Sequence, residues 1–75
     1  MRIHVEDYTK GEIIRFIREW SGLSQREFGK MIGKSRTTVV RYELEDVNYS
    51  IETLLLIAKK LDLEIILQGK DKRQV

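Results

Sequence analysis

Residues 24–43, SQREFGKMIGKSRTTVVRYE, decide the fold because they have the pattern of two short amphipathic helices separated by a glycine. Phe28 and Ile32 belong to the apolar stripe of the first helix, and Gly33 supplies the backbone freedom for a tight turn. The second helix opens with a polar run, residues 34–38, that packing alone does not require. This spacing predicts a helix-turn-helix, in which the first helix holds the second away from the body of the domain.

Capping signals predict four helices along the chain. Thr9 and Ser24 are each followed three residues later by a glutamate, the spacing at which each side chain satisfies a backbone N–H group at the helix start. Ser35 and Ser50 can cap the third and fourth helices. Helical periodicity then predicts the following inward positions: Ile13, Phe16, Ile17 and Trp20; Phe28, Met31 and Ile32; Val39 and Tyr42; and Ile51, Leu54, Leu55, Ala58 and Leu61.

Both ends of the chain have the alternating pattern of short strands, over residues 2–8 and residues 63–68. A lone strand leaves backbone groups unpaired on both edges and therefore needs a partner. That partner can be the other strand of the same chain, the equivalent strand of a second chain, or both. The fold class predicted is mainly α, a compact four-helix domain with short N- and C-terminal β-strands over residues 1–69, followed by a mobile tail at 70–75.

Composition narrows the classes of function. The 75 residues include no cysteine and one histidine, His4, so a thiolate metal site, a cysteine nucleophile or a Ser-His-Asp triad is not expected. We therefore predict no enzymatic activity, no cofactor and no metal. No apolar run approaches the roughly 20 residues that span a bilayer, and the N-terminus lacks the apolar segment of a signal peptide. A cytoplasmic protein with no membrane association is expected.

The net charge of +2 is small, but the cations are concentrated on the segment that decides the fold. Residues 24–43 hold two acids, Glu27 and Glu43, against the five cations Arg26, Lys30, Lys34, Arg36 and Arg41. Arg26 and Lys30 suit phosphate contact and solvent exposure equally well.

Residues 11–62 resemble the lambda-repressor and Cro-like helix-turn-helix family, also called the xenobiotic-response-element family. The resemblance is specific because a small residue, a glycine turn and the following helix all occur at the right offsets. The matching positions are residues 23–25, Gly29, Gly33, and residues 35–39, 41–43, 50–55 and 57–59.

The resemblance implies sequence-specific binding of double-stranded DNA, with the second helix of the motif, residues 24–43, in the major groove. The base-reading residues would be Arg36, Thr37, Thr38 and Val40, and the residues that contact the DNA backbone would be Gln25, Arg26, Lys34, Ser35, Arg41 and Asn48. Ser35 also has a purely structural interpretation as a helix cap, and Gln25 can brace the reading helix. Three residues of the next loop depart from the family, and its two acids would be unfavourable near phosphates: Glu45, Asp46 and Tyr49.

Apolar side chains near the C-terminal strand predict a homodimer interface formed by Leu56, Ile57, Leu63, Ile65, Ile66 and Leu67. A symmetric dimer would present two reading helices about 34 Å apart. The function predicted is a transcriptional regulator, a repressor on a near-palindromic operator, associated with the nucleoid when bound. The alternative is an antitoxin that neutralises a toxin through its C-terminal strand and autoregulates its operon. An adaptor that has lost DNA binding is a third possibility.

Overall fold

The computed structural model describes residues 1–66, and their architecture is the mainly α fold that the sequence predicts. Residues 67–75 lie outside the described part, and with them Leu67, the predicted domain limit and the predicted tail. Within residues 1–66 no helix combines the length and apolar character needed to cross a membrane. In chain order the elements are β1 Arg2–His4, a 3-10 turn Val5–Asp7, α1 Lys10–Ser21, α2 Gln25–Ile32, α3 Arg36–Glu43, α4 Ile51–Leu61 and β2 Glu64–Ile66.

The helix boundaries follow the predicted capping chemistry. Thr9 and Ser24 each form a complete capping box with the glutamate three residues on. Ser35 and Ser50 each accept a hydrogen bond from a backbone N–H group in the first turn of the helix that follows. Gly22 ends α1 in the left-handed conformation, where a side chain would be strained. The four helix starts predicted from sequence are therefore confirmed.

The core is built from one face of each helix. On α1 and α4, some of the residues that periodicity predicted to face the core are exposed instead. Phe16, Trp20, Ile51 and Leu55 are between 43% and 62% exposed, so their predicted inward positions are wrong. On α1 the buried stripe includes Ile14, which the prediction missed. Two adjacent stripes of α1 are apolar, and helical spacing alone does not tell which of them faces the core. Tyr8 covers part of the outer stripe by stacking on Phe16, with ring centroids 6.1 Å apart.

The two strands pair with each other within the chain. β1 and β2 run parallel, with Ile3 opposite Ile65. The first strand is shorter than predicted because the chain turns into the 3-10 turn at Val5. Ile57 and Leu63 lie in the core of the monomer, so their predicted place in an exposed dimer patch is wrong. Ile57 faces inward because it continues the buried stripe that Leu54 begins on α4.

Candidate nucleic-acid interface

The turn between α2 and α3 is fixed by two glycines with different roles. Gly33 adopts a left-handed φ of 72° and ends α2. Gly29 lies under the turn, where a Cβ atom would stand 2.6 Å from the carbonyl oxygen of Lys34. The Lys34 N–H group donates to the carbonyl of Gly29 at 2.8 Å, which closes the turn. Gly29 is therefore required by the close approach of the turn backbone.

The first turn of α3 divides the predicted base-reading residues into two groups. Ser35 caps the helix, and its Oγ atom accepts from the Thr38 N–H group at 3.1 Å and lies 3.0 Å from Thr38 Oγ1. Thr38 is half-buried and engaged with the cap, whereas Arg36 and Thr37 are exposed. Val40 is half-buried one turn after Arg36, on the same face of α3. The structural role that sequence allowed for Ser35 is present, and Arg36 and Thr37 form the free edge.

Four of the predicted backbone-contacting residues are exposed side chains. Arg26 lies in the first turn of α2, Lys34 in the turn, Arg41 near the end of α3, and Asn48 in the connection to α4. Across residues 1–66, the ion pairs formed involve none of these three cations, and Arg36 is likewise unpaired. Their positive charges are consequently available to an anionic partner.

Gln25 takes part in a polar network that braces α3. Its Nε2 atom donates to Glu43 Oε1 at 3.2 Å. Arg18 donates from Nε to Glu43 Oε2 at 2.6 Å, from Nη2 to Oε1 at 3.3 Å, and from Nη1 to the carbonyl of Leu23 at 3.1 Å. The hydrogen bond to Glu43 raises the pKa of Arg18. This network joins the end of α1, the start of α2 and the end of α3, and so fixes the orientation of α3.

Sequence reasoning missed the Arg18–Glu43 pair, whose side chains are 15% and 8% exposed. The two residues are 25 positions apart and belong to different helices, so no local spacing connects them. In the sequence, Glu43 is an acid within a basic segment and a position that matches the family, and neither property indicates a partner on α1. Its burial against Arg18 means that its charge is compensated within the domain and not presented to a partner.

The connection from α3 to α4 is attached to the start of α1. Glu45 has a left-handed φ of 64°, and its carboxylate accepts hydrogen bonds from the Thr9 hydroxyl and from the Gly11 N–H group. The buried Tyr49 donates from its hydroxyl to the carbonyl of Lys10 at 2.9 Å. Burial and the neighbouring Glu45 charge raise the pKa of Tyr49 to about 12. Of the two acids expected beside the phosphate path, Glu45 is directed to α1 instead.

Comparison with known proteins agrees with this geometry. Residues 14–67 match the family described as Helix-turn-helix. Among solved structures, the chain is similar to the P22 c2 repressor protein, whose crystal structure is in complex with synthetic operator 9T in the presence of Tl+. The two are 30% identical, the alignment covers 75% of this chain and 85% of that chain, and the TM-score is 0.64. Among curated protein sequences, none matches the chain.

Proposed function

Because the chain belongs to the lambda-repressor and Cro-like helix-turn-helix family of DNA-binding regulators, we propose that it represses transcription by occupying a specific operator in double-stranded DNA. The observation that carries the proposal is the exposed edge of Arg36 and Thr37, held out by the turn over Gly29. A helix edge with unpaired polar groups suits the major groove, where such groups meet base edges. This function requires neither a cofactor nor a catalytic group. The P22 c2 repressor protein, similar over most of its length, is itself bound to an operator.

The residues of the edge have distinct proposed roles. Arg36 can donate to both acceptors of one guanine, and Thr37 can donate to a base or place its methyl group against thymine. Val40 offers an apolar contact to a thymine methyl group. Thr38 is engaged with Ser35, so we propose that it supports the edge more than it reads a base.

Affinity comes from the cations around the edge. Arg26, Lys34 and Arg41 are exposed and unpaired within the described residues, and Asn48 can add a neutral hydrogen bond. Each phosphate that a cation neutralises releases counterions, so affinity should fall steeply as salt rises.

We propose that the repressor is a homodimer joined through the outer face of α4 and the apolar side chains of β2. Ile51, Leu55 and Leu56 are exposed on α4, while Ile65 and Ile66 of β2 are half-buried. A second copy would cover these side chains and place two reading edges on half-sites about 34 Å apart. Sedimentation at micromolar concentration should give twice the mass of 8.9 kDa. A species of 8.9 kDa without DNA would contradict a preformed dimer.

No observation favours the antitoxin alternative over the repressor. That alternative depended on a C-terminal strand in need of a partner, and β1 provides a partner within the chain. A toxin bound by the strand would have to use its outer edge or replace β1.

Selection of bound duplexes from a random DNA pool, at roughly 100 mM salt, tests the proposed function. We expect a two-fold symmetric motif with the wild-type protein. Arg36→Ala should weaken binding by about 1–3 kcal/mol and relax the preference at one base pair. Arg2→Ala, an exposed arginine on β1, is the matched control and should select the wild-type motif. Equal losses on selected and random duplexes would contradict a base-reading role for Arg36.

A further inference from the structure

We propose that α1 adds a contact to the DNA backbone beside the reading edge, with Arg15 as the residue that binds the phosphate; this rests on the proposed function. A groove of about 230 Å³ separates α1 from the C-terminal half of α3. Four of its six lining residues are polar or charged. The lining residues are Arg15, Arg18, Gln25, Val40, Glu43 and Leu44.

The groove lies beside the face of α3 that carries Arg36 and Val40. Val40 lies four residues after Arg36, on the same face of α3, and Gln25 opens α2 next to it. A helix about 10–12 Å across fills a major groove about 12 Å wide, so the DNA backbones pass along both sides of α3. The backbone on the α1 side would pass over the mouth of this groove.

Only one of the two arginines in the groove is available to a phosphate. Arg18 is occupied by both carboxylate oxygens of Glu43 and by the Leu23 carbonyl. Arg15 has a side chain that is 65% exposed, and within residues 1–66 its single ion pair joins Nε to Glu19 Oε2 at 3.2 Å. Its two terminal nitrogens are free of hydrogen bonds to described residues.

The pair between Arg15 and Glu19 is one that a phosphate can displace. An exposed pair at this helical spacing contributes little to stability, because water screens the two charges and holding both side chains in place costs entropy. A guanidinium can bind a phosphate through two parallel hydrogen bonds, which are stronger than the single bond it makes here. Glu19 is then a competitor that DNA binding releases.

Binding titrations over a range of salt concentrations test the contact, with the selected operator and a random duplex of the same length. Arg15→Ala should lower affinity roughly three- to tenfold on both duplexes and reduce the slope of log affinity against log salt by about 0.9. Arg15→Lys should retain the slope, because it keeps the charge. Arg2→Ala is the matched control, since Arg2 is also an exposed arginine paired with a glutamate, on β1.

Glu19→Gln provides an independent readout. It should raise affinity about twofold in the wild-type background and have no effect in the Arg15→Ala background, because its action passes through Arg15. An unchanged salt slope in Arg15→Ala, an equal change in Arg2→Ala, or an equal gain from Glu19→Gln in both backgrounds would overturn the proposal. If the wild-type protein binds neither duplex, both the proposed function and the Arg15 contact fail. If the wild type binds and Arg15→Ala keeps the wild-type slope, only the contact fails.

Discussion

The chain enters α3 through a turn at residues 33–35 and leaves it through a longer connection at residues 44–50. The conformation of the first is determined by residues in or next to the turn. Gly33 ends α2, Ser35 caps α3, and Gly29 leaves room for the backbone of the turn. The second is held from outside, by bonds that Glu45 and Tyr49 make to the start of α1. A local turn positions the start of α3, whereas tertiary contacts position its end.

Removing Arg18 should lower the free energy of unfolding more than the other substitutions do, because it releases the end of α3, where the longer connection begins. Arg18→Met leaves the carboxylate of Glu43 buried without a cation, and we expect a loss of about 3 kcal/mol or more in the free energy of unfolding. Arg15→Met removes an exposed pair from the same helix and should cost about 0.5 kcal/mol or less. Urea denaturation measures both, and equal losses would mean that the buried pair is not what holds α3.

Gly29→Ala tests the local turn. The added Cβ atom would stand 2.6 Å from the Lys34 carbonyl oxygen, which is backbone and cannot rotate away. We expect a loss of about 2 kcal/mol in the free energy of unfolding, measured by urea denaturation. Gly33→Ala meets no atom within 4 Å and suffers only from its positive φ, so it should cost about 1 kcal/mol. A smaller loss at Gly29 than at Gly33 would show that the turn is not closely packed on α2.

Tyr49→Phe tests the longer connection by removing one hydrogen bond to α1 and should cost about 1 kcal/mol. Folding also favours the protonated phenol, because the pKa of Tyr49 is raised from its ordinary value of 10 to about 12. This contribution is complete below pH 10 and is lost as pH rises through about 12. Ultraviolet titration should show one tyrosinate forming near pH 12 that is missing in Tyr49→Phe. Identical titration curves would contradict the burial of this hydroxyl.

The smallest effect concerns the two acids of the connection. Asp46 is exposed and forms no ion pair in the described chain, so Asp46→Asn should raise DNA affinity about twofold by removing repulsion of phosphates. Glu45→Gln should change affinity less, since this carboxylate is engaged with Thr9 and Gly11. Binding titrations at low salt measure the difference. A larger gain from Glu45→Gln would mean that the hydrogen bonds from Thr9 and Gly11 to Glu45 break when DNA binds.

The features predicted correctly from the sequence are those that residues close together in the chain determine. The capping boxes, the glycine turn and the helical stripe of α2 depend on spacings of a few residues, and the structure has them in place. The fold class follows from those elements and from the short strands at both ends. The exposed edge of Arg36 and Thr37 was also foreseen, because the turn fixes which end of α3 projects. That these residues read bases stays a prediction.

What the sequence did not predict depends on residues far apart in the chain. The pairing of Arg18 with Glu43 and the capping of α1 by Glu45 join positions separated by 25 and by 34 or more residues. The wrong inward positions on α1 have a related cause, since only the partner helices decide which of two apolar stripes is covered. A charged side chain that its neighbours in the sequence suggest is exposed can therefore be buried in an ion pair between two helices, as Glu43 is.

The parallel pairing of β1 with β2 gives the domain a mechanical property. The N–H group of Glu64 donates to the carbonyl of Met1 at 2.9 Å, so the residue before β1 is tied to the first residue of β2. A force applied at Met1 and Ile66 pulls two parallel strands along their axes in opposite directions. Their hydrogen bonds must then break together by shear, whereas an antiparallel hairpin pulled from its open end breaks one bond at a time. Single-molecule pulling from these two points should therefore require a higher unfolding force than pulling from Met1 and a site on α2.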